Sequence, residues 1–130
     1  MDPAPDFLTL DEVIEIHRVQ LDRWGGAHGI RDMGALTSAV AQPQATFGGE
    51  YLHEDVFAMS AAYAFHIAEA QAFLDGNKRT GLDAALTFLA LNGCQINDPG
   101  ESLYLAMLEI AERKMTKAQL ASLLRQLADI

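Results

Sequence analysis

A polar run of eleven residues, from Gln71 to Gly81 with the sequence QAFLDGNKRTG, separates two apolar stretches of the chain. It contains one carboxylate, two cations and an asparagine directly before a predicted helix. The first backbone N–H groups of a helix have no intrahelical acceptor and lie at the positive end of its dipole, so they can bind an anion. Because Lys78 and Arg79 add positive charge there, the run predicts a phosphate site.

The other residues of the run extend this prediction to a nucleotide. Asp75 would repel a bare phosphate, but it could hold Mg²⁺ that bridges to phosphate groups. Gly76 permits a tight turn, Gly81 permits a close approach of another backbone or a ligand, and Asn77 is suited to cap the helix. We therefore expect a nucleotide phosphate site with Asp75 as the metal ligand and five binding residues: Gly76, Asn77, Lys78, Arg79 and Thr80.

The same residues also permit a purely structural interpretation. Asp75 could cap the helix, Asn77 could satisfy loop carbonyls, and the two cations could pair with acidic residues on the surface. The run is neither a Walker A motif nor a dinucleotide-binding fingerprint. The four histidines show no i,i+4 pair, which argues against a zinc hydrolase.

The composition favours a single soluble domain that comprises residues 1–130. Domains commonly span about 100–150 residues, and half of these residues are hydrophobic. The net charge of −9 argues against a nucleic-acid partner, because phosphate-backbone binding needs clustered Lys and Arg. No apolar run approaches the ~18 residues of a membrane span, and the start lacks a basic signal region, so we expect a cytoplasmic protein. Cys94 is the single cysteine and excludes an internal disulfide.

Capping signals and apolar spacing predict an all-α bundle of five to six helices. A capping box at Thr9 begins a helix that ends at Gly25, with His17 on its apolar face as an expected hydrogen-bonded core residue. Asp32 caps a second helix that ends before Pro43. Four further helices are expected over 54–70, 78–92, 102–113 and, after a capping box at Thr116, to Leu127. A loop containing Pro99 and Gly100 precedes the helix over 102–113.

The stretch from Gln42 to Leu52 has no helical period and contains a Gly-Gly turn signal, so it predicts a small hairpin or extended flap. Its central residues are Ala45, Thr46, Phe47, Gly48, Gly49, Glu50 and Tyr51.

The segment from Phe73 to Arg79 resembles the Fic/Doc family motif, His-x-Phe-x-(Asp/Asn)-(Gly/Ala)-Asn-(Gly/Lys)-Arg. Lys78 and Leu82 make it more similar to the Doc, or death-on-curing, branch. The likeness extends to residues 24–26, 29–32 and 43–49 and to the helix before the motif, which together cover nearly the whole chain.

This resemblance implies a Fic-fold bundle that uses ATP or another nucleoside triphosphate, with Mg²⁺, to modify a hydroxyl of a protein. Fic members mostly transfer AMP. Doc toxins phosphorylate a translation factor, elongation factor Tu, and are blocked by a Phd-type antitoxin. By position, Asp75 would belong to the metal or phosphate site, Asn77 and Arg79 would contact phosphates, Lys78 would line the anion hole and Phe73 would anchor the loop. The flap would receive the target peptide by strand addition.

The family's catalytic histidine falls at Gln71. An amide cannot accept a proton near neutral pH, and loss of a general base typically costs about 10²–10⁴ in rate. His66 lies five positions earlier, about 140° around a helix, and should point elsewhere. Three hypotheses stay open: a Doc-like transferase with Gln71, Asp75 and Arg79 as its impaired catalytic set, a silenced module that binds nucleotide or antitoxin, and a helical adaptor without nucleotide.

Overall fold

A computed structural model describes residues 4–98 and 100–129 of the chain. Within them it contains six α-helices and two short antiparallel strand pairs, so the expected all-α bundle with a small hairpin is confirmed. The helices are α1 (Leu10–Trp24), α2 (Met33–Ala41), α3 (Val56–Ala70), α4 (Asn77–Leu91), α5 (Ser102–Ala111) and α6 (Lys117–Leu127), and the strands are β1 (Thr46–Phe47), β2 (Glu50–Tyr51), β3 (Gln95–Ile96) and β4 (Ala128–Asp129).

Four of the six helices, α1, α2, α3 and α6, begin at a residue whose side chain caps them. Thr9 and Thr116 form the two expected capping boxes, and Asp32 caps α2 through the N–H of Ala35. Such caps satisfy donors that a helix start leaves without an acceptor.

Helix α3 begins at Val56, two residues later than expected, and the start of α4 and the end of α5 also differ from the expectation. Asn77 is the first residue of α4 and Gly76 is its cap, so the prediction that Asn77 caps this helix was wrong. Helix α5 ends at Ala111, two residues earlier than expected. Pro99, expected in the loop before α5, lies outside the described residues.

Helices α3 and α4 form the centre of the core. Tyr63 and Phe88 are fully buried and their ring centroids lie 5.1 Å apart. A Cβ at Gly81 would lie only 2.7 Å from the carbonyl oxygen of Ala64, which confirms the expected close approach of another backbone. This contact fixes the first turns of α4 against α3.

The two strand pairs differ in how far apart their strands lie in the sequence. Strands β1 and β2 form the expected hairpin, whose Phe47 side chain is 83% exposed. The pairing of β3 with β4 was not anticipated, because each strand has only two residues and gives no alternating pattern.

Among the described residues, none of the helices has the length and apolar character that crossing a bilayer requires.

Candidate functional site

The motif loop before α4 is fixed from the inside by Phe73 and Asn77. Phe73 is fully buried and its ring stacks on that of His17 with centroids 3.7 Å apart, so it anchors the loop as expected. The Asn77 side chain accepts a hydrogen bond from the Phe73 N–H and donates one to the Phe73 carbonyl, both at 3.0 Å. The amide oxygen and one amide N–H are occupied in this way, so Asn77 keeps its backbone N–H and one side-chain N–H as donors for an anion.

A second set of contacts fixes the loop from the outside. One carboxylate oxygen of Asp75 accepts the N–H of Ala27 at 2.7 Å, and the Leu74 N–H donates to the carbonyl of Gly29 at 3.1 Å. Ile30 forms an isolated antiparallel bridge with Phe73. The segment after α1 therefore holds the motif loop from a position about 45 residues earlier in the chain.

His17 completes this support as a hydrogen-bonded core residue, which confirms the expectation. Its Nε2 lies 2.8 Å from the carbonyl oxygen of Asp75, and because a carbonyl only accepts, Nε2 carries the proton. Burial lowers the pKa of His17, although the bond to Asp75 acts in the opposite direction. The imidazole is therefore neutral near pH 7.

The start of α4 has the features of an anion site. Gly76 has φ of +81°, a conformation that favours glycine. The Thr80 N–H is bonded to the Gly76 carbonyl at 2.9 Å, which leaves the three preceding N–H groups without an intrahelical acceptor. These groups border a cavity of about 390 Å³, here called the loop cavity, whose lining includes Gly25, Gly26, Asp75, Gly76, Asn77, Lys78 and Arg79.

Both cations of the motif are available in this cavity. None of the ion pairs found within residues 4–98 and 100–129 involves Lys78 or Arg79. The structural interpretation, in which surface acids neutralise them, therefore has no support from the described contacts. A helix start carrying two unpaired cations is suited to a phosphate group.

Asp75 and Thr80 are less well suited to the roles expected of them. Asp75 is exposed but already uses one oxygen for Ala27. In the described part of the chain no group of three or more His, Cys, Asp or Glu side chains could hold a metal. Mg²⁺ therefore fits only as an ion shared between Asp75, phosphates and water. Thr80 is fully buried and does not line the loop cavity, which argues against a phosphate contact by its hydroxyl.

Gln71 is not brought to the loop cavity. It ends α3 in the left-handed conformation with φ of 51°, and its side-chain N–H donates to the carbonyl of Ala68 at 3.2 Å. Its exposed side chain thus turns back over its own helix and, within the described residues, lines neither the loop cavity nor the larger one beside it. Its catalytic role stays a prediction.

His66 also points away from the motif, as its helical position predicts. Helix α3 continues to Ala70, and Nε2 of His66 lies 3.1 Å from Nζ of Lys117 on α6. It therefore cannot replace the missing histidine from this position.

The sequence analysis did not predict that two aromatic residues, Trp24 and Tyr104, contact Arg79. The guanidinium carbon of Arg79 lies 3.9 Å from the ring centroid of Trp24 and 4.2 Å from that of Tyr104. A second cavity of about 600 Å³ adjoins the loop cavity and shares Gln20, Trp24, Arg79 and Tyr104 with it. Nothing in the local pattern around Tyr104 signals this contact, because the two residues are brought together only by the packing of α5 on α4.

The flap is exposed and its hairpin is short. Thr46 pairs with Tyr51 and Phe47 with Glu50, and the Tyr51 ring lies 5.7 Å from that of Phe7. Exposed strand edges of this kind can accept a further strand. Docking of a target peptide here stays a prediction.

The helical bundle and its central motif loop fit the Fic/Doc family, and comparison with known proteins agrees. The Fic/DOC family model matches residues 7–89, more than half of the chain. The chain therefore belongs to the Fic/DOC family. It is 36% identical over 94 residues to "Protein kinase doc" of Escherichia phage P1, covering 72% of this chain and 74% of that protein. It is 44% identical over 73 residues to "Toxin Doc" of Mycolicibacterium smegmatis, covering 56% of each chain.

Proposed function

We propose that this protein is a Doc-like toxin of a toxin-antitoxin system that transfers a phosphoryl group or AMP from a nucleoside triphosphate to a hydroxyl of a target protein. Its membership of the family and its similarity to a Doc kinase and a Doc toxin support this class. A translation factor such as elongation factor Tu is the candidate target. A Phd-type antitoxin is the candidate partner that blocks it.

The observation that carries the proposal is the start of α4. Three backbone N–H groups, Lys78 and Arg79 converge on the loop cavity, and the loop is held rigidly by Asn77, Asp75 and His17. Catalysis of phosphoryl transfer depends largely on positioning and on stabilising negative charge, which such a rigid cationic site supplies.

Each part of the site has a proposed task. The phosphates of ATP bind the α4 N–H groups, with Lys78 and Arg79 as charged donors. Mg²⁺, when bound, would neutralise phosphate charge, with Asp75 as its one protein ligand. The target strand docks on the flap. In this position the hydroxyl of the target faces the phosphates.

A second candidate, a silenced protein that binds nucleotide or antitoxin without transfer, is favoured by Gln71. Its amide has no basicity near neutral pH, and its side chain is bonded to Ala68 outside the loop cavity. Without a base, any transfer by the wild type would rely on positioning alone.

Labelled ATP separates the candidates. Purified protein is incubated with Mg²⁺, elongation factor Tu and ATP labelled at either the γ- or the α-phosphate. Label from the γ position on the target indicates phosphoryl transfer, and label from the α position indicates AMP transfer. Either signal must disappear in Arg79→Ala, because that variant lacks a phosphate-binding cation.

Nucleotide binding by calorimetry without transfer of either label would instead support the silenced protein. Absence of both nucleotide binding and transfer would overturn the transferase and the nucleotide-binding form of the second candidate, and would leave an antitoxin-binding protein or a helical adaptor.

A further inference from the structure

The guanidinium of Arg79 lies between two aromatic rings. The Trp24 ring is 3.9 Å away and the Tyr104 ring 4.2 Å away, both measured from the guanidinium carbon to the ring centroid. Among the described residues the two rings form no aromatic pair with each other. They therefore cover different sides of the guanidinium.

This arrangement limits the directions in which Arg79 can donate hydrogen bonds. A guanidinium is planar and its N–H groups point outward in that plane, so contact with two rings restricts the guanidinium while its N–H groups keep no protein acceptor among the described hydrogen bonds. Arg79 borders both the loop cavity and the adjoining larger cavity. A ligand in either cavity therefore meets the N–H edge of an arginine whose side-chain motion is already restricted.

The two rings come from parts of the fold that are fixed independently. Trp24 is the last residue of α1, next to the Gly25–Gly26 turn. Tyr104 lies in the first turn of α5, where the Asp98 carboxylate accepts the N–H groups of Ser102 and Leu103, both at 2.9 Å. Burial acts to raise the pKa of Asp98, but these bonds outweigh it and hold the pKa below its usual value. Asp98 is thus ionised at neutral pH and supports the position of Tyr104.

We propose that Trp24 and Tyr104 are positioning residues for Arg79, which hold its N–H edge toward the phosphates of a nucleotide bound at the start of α4. The proposal rests on the proposed nucleotide site. It adds that α5, which lies beyond the family match at residues 7–89, completes the site. An arginine held in advance loses less side-chain freedom on binding, so the stack raises affinity for phosphates.

Trp24 is the only tryptophan of the chain, so its fluorescence reports directly on this stack. Mg-ATP is titrated into wild type, Tyr104→Leu and Tyr104→Phe while Trp24 emission is recorded, and calorimetry gives the Kd. We expect Tyr104→Leu to weaken binding by up to about tenfold, the cost of immobilising one flexible side chain on binding. Tyr104→Phe keeps the ring and should stay within about twofold of wild type.

Three further variants separate positioning from general structural support. Leu105→Ala changes an exposed neighbour on α5 and should leave the Kd unchanged. Arg79→Lys retains the charge but loses the planar group, so it should shift Trp24 emission in the absence of ligand. Trp24→Leu, measured by calorimetry, should weaken binding as Tyr104→Leu does.

Two failures have different meanings. If wild type binds Mg-ATP and Arg79→Ala does not, but Tyr104→Leu and Trp24→Leu bind as tightly as wild type, the positioning role is wrong and the nucleotide site stands. If wild type binds neither Mg-ATP nor pyrophosphate, the nucleotide site is wrong and the positioning role is rejected with it.

Discussion

Two clusters of basic side chains differ in their hydrogen-bond partners. At the start of α4, Lys78 and Arg79 border an open cavity together with backbone N–H groups. Between α3 and α6, Nζ of Lys117 lies 3.1 Å from Nε2 of His53 and 3.1 Å from Nε2 of His66. The first cluster has donors without acceptors, whereas in the second the ammonium donates to two neutral imidazoles.

The electrostatics of the second cluster follow from its burial. Desolvation lowers the pKa of Lys117, and desolvation together with the Lys117 charge lowers the pKa of His66 to about 4. The same two causes lower the pKa of His53. Both imidazoles are therefore neutral at pH 7 and accept hydrogen bonds from the lysine. Basic residues are candidates for an anion site only where their donors remain free.

The largest expected effect tests whether position 71 or His66 supplies the missing base. Gln71→His should raise the initial rate of label transfer by about 10²–10⁴, because it restores a general base at the family position. His66→Gln in the wild-type background should leave the rate unchanged, since His66 faces Lys117. Equal rates for wild type and Gln71→His would show that position 71 does not act as the base. A loss of transfer in His66→Gln would show that the cluster around Lys117 takes part in catalysis.

The next effect concerns the contact between α3 and α4 that supports both clusters. Gly81→Ala should lower the free energy of unfolding by about 1–3 kcal/mol, because its Cβ would meet the backbone carbonyl of Ala64 at 2.7 Å. Gly34→Ala on α2 is the matched control, and its Cβ meets only a carboxylate oxygen at 3.5 Å. Chemical denaturation measures both variants. Equal stabilities for the two variants would contradict the tight α3–α4 contact.

A decrease in pH should destabilise the fold through the cluster between α3 and α6. An unfolded histidine takes up a proton near pH 6.5, but the pKa of folded His66 is about 4. The unfolded state therefore binds more protons in this interval, and stability is lost as the pH falls from about 6.5 toward 4. The melting temperature of wild type should decrease over that range, and His66→Phe should flatten the decrease.

A titration of the His66 ring by NMR checks the cause directly. Its midpoint should rise in Lys117→Met, because the neighbouring positive charge is removed. A His66 midpoint near 6.5 in wild type would show that the cluster is solvated like the one at α4.

The smallest effect distinguishes function from stability at Lys78. A cation in the first turn of a helix opposes the helix dipole, so Lys78→Ala should raise the free energy of unfolding by about 0.3–1 kcal/mol without ligand. The same variant should bind Mg-ATP more weakly. Lower stability in the absence of ligand would indicate that Lys78 makes a structural contact.

The sequence predicted the helices well, because their signals are local. The capping boxes at Thr9 and Thr116 and the Asp32 cap each depend on residues within one helical turn. The motif loop was also located, since its glycines and charges are adjacent. Asn77 was misplaced because an asparagine can cap a helix or bond a preceding loop, and here contact with Phe73 decided between them.

The contacts that the sequence did not reveal join distant parts of the chain. Tyr104 reaches Arg79 only through the packing of α5, and Lys117 meets His53 and His66 only through the packing of α6. The position of the Gln71 side chain was also not predicted, because it depends on the left-handed backbone conformation that ends α3 at this residue. None of these contacts has a periodic or motif signal, because each depends on tertiary structure.

The central claim is that the start of α4 binds polyphosphate, and calorimetry with Mg-ATP tests it most directly. We predict one nucleotide per chain for wild type, loss of binding in the Lys78→Ala/Arg79→Ala double variant, and unchanged binding in Lys117→Met. No binding by wild type at millimolar Mg-ATP, or undiminished binding by the double variant, would contradict it.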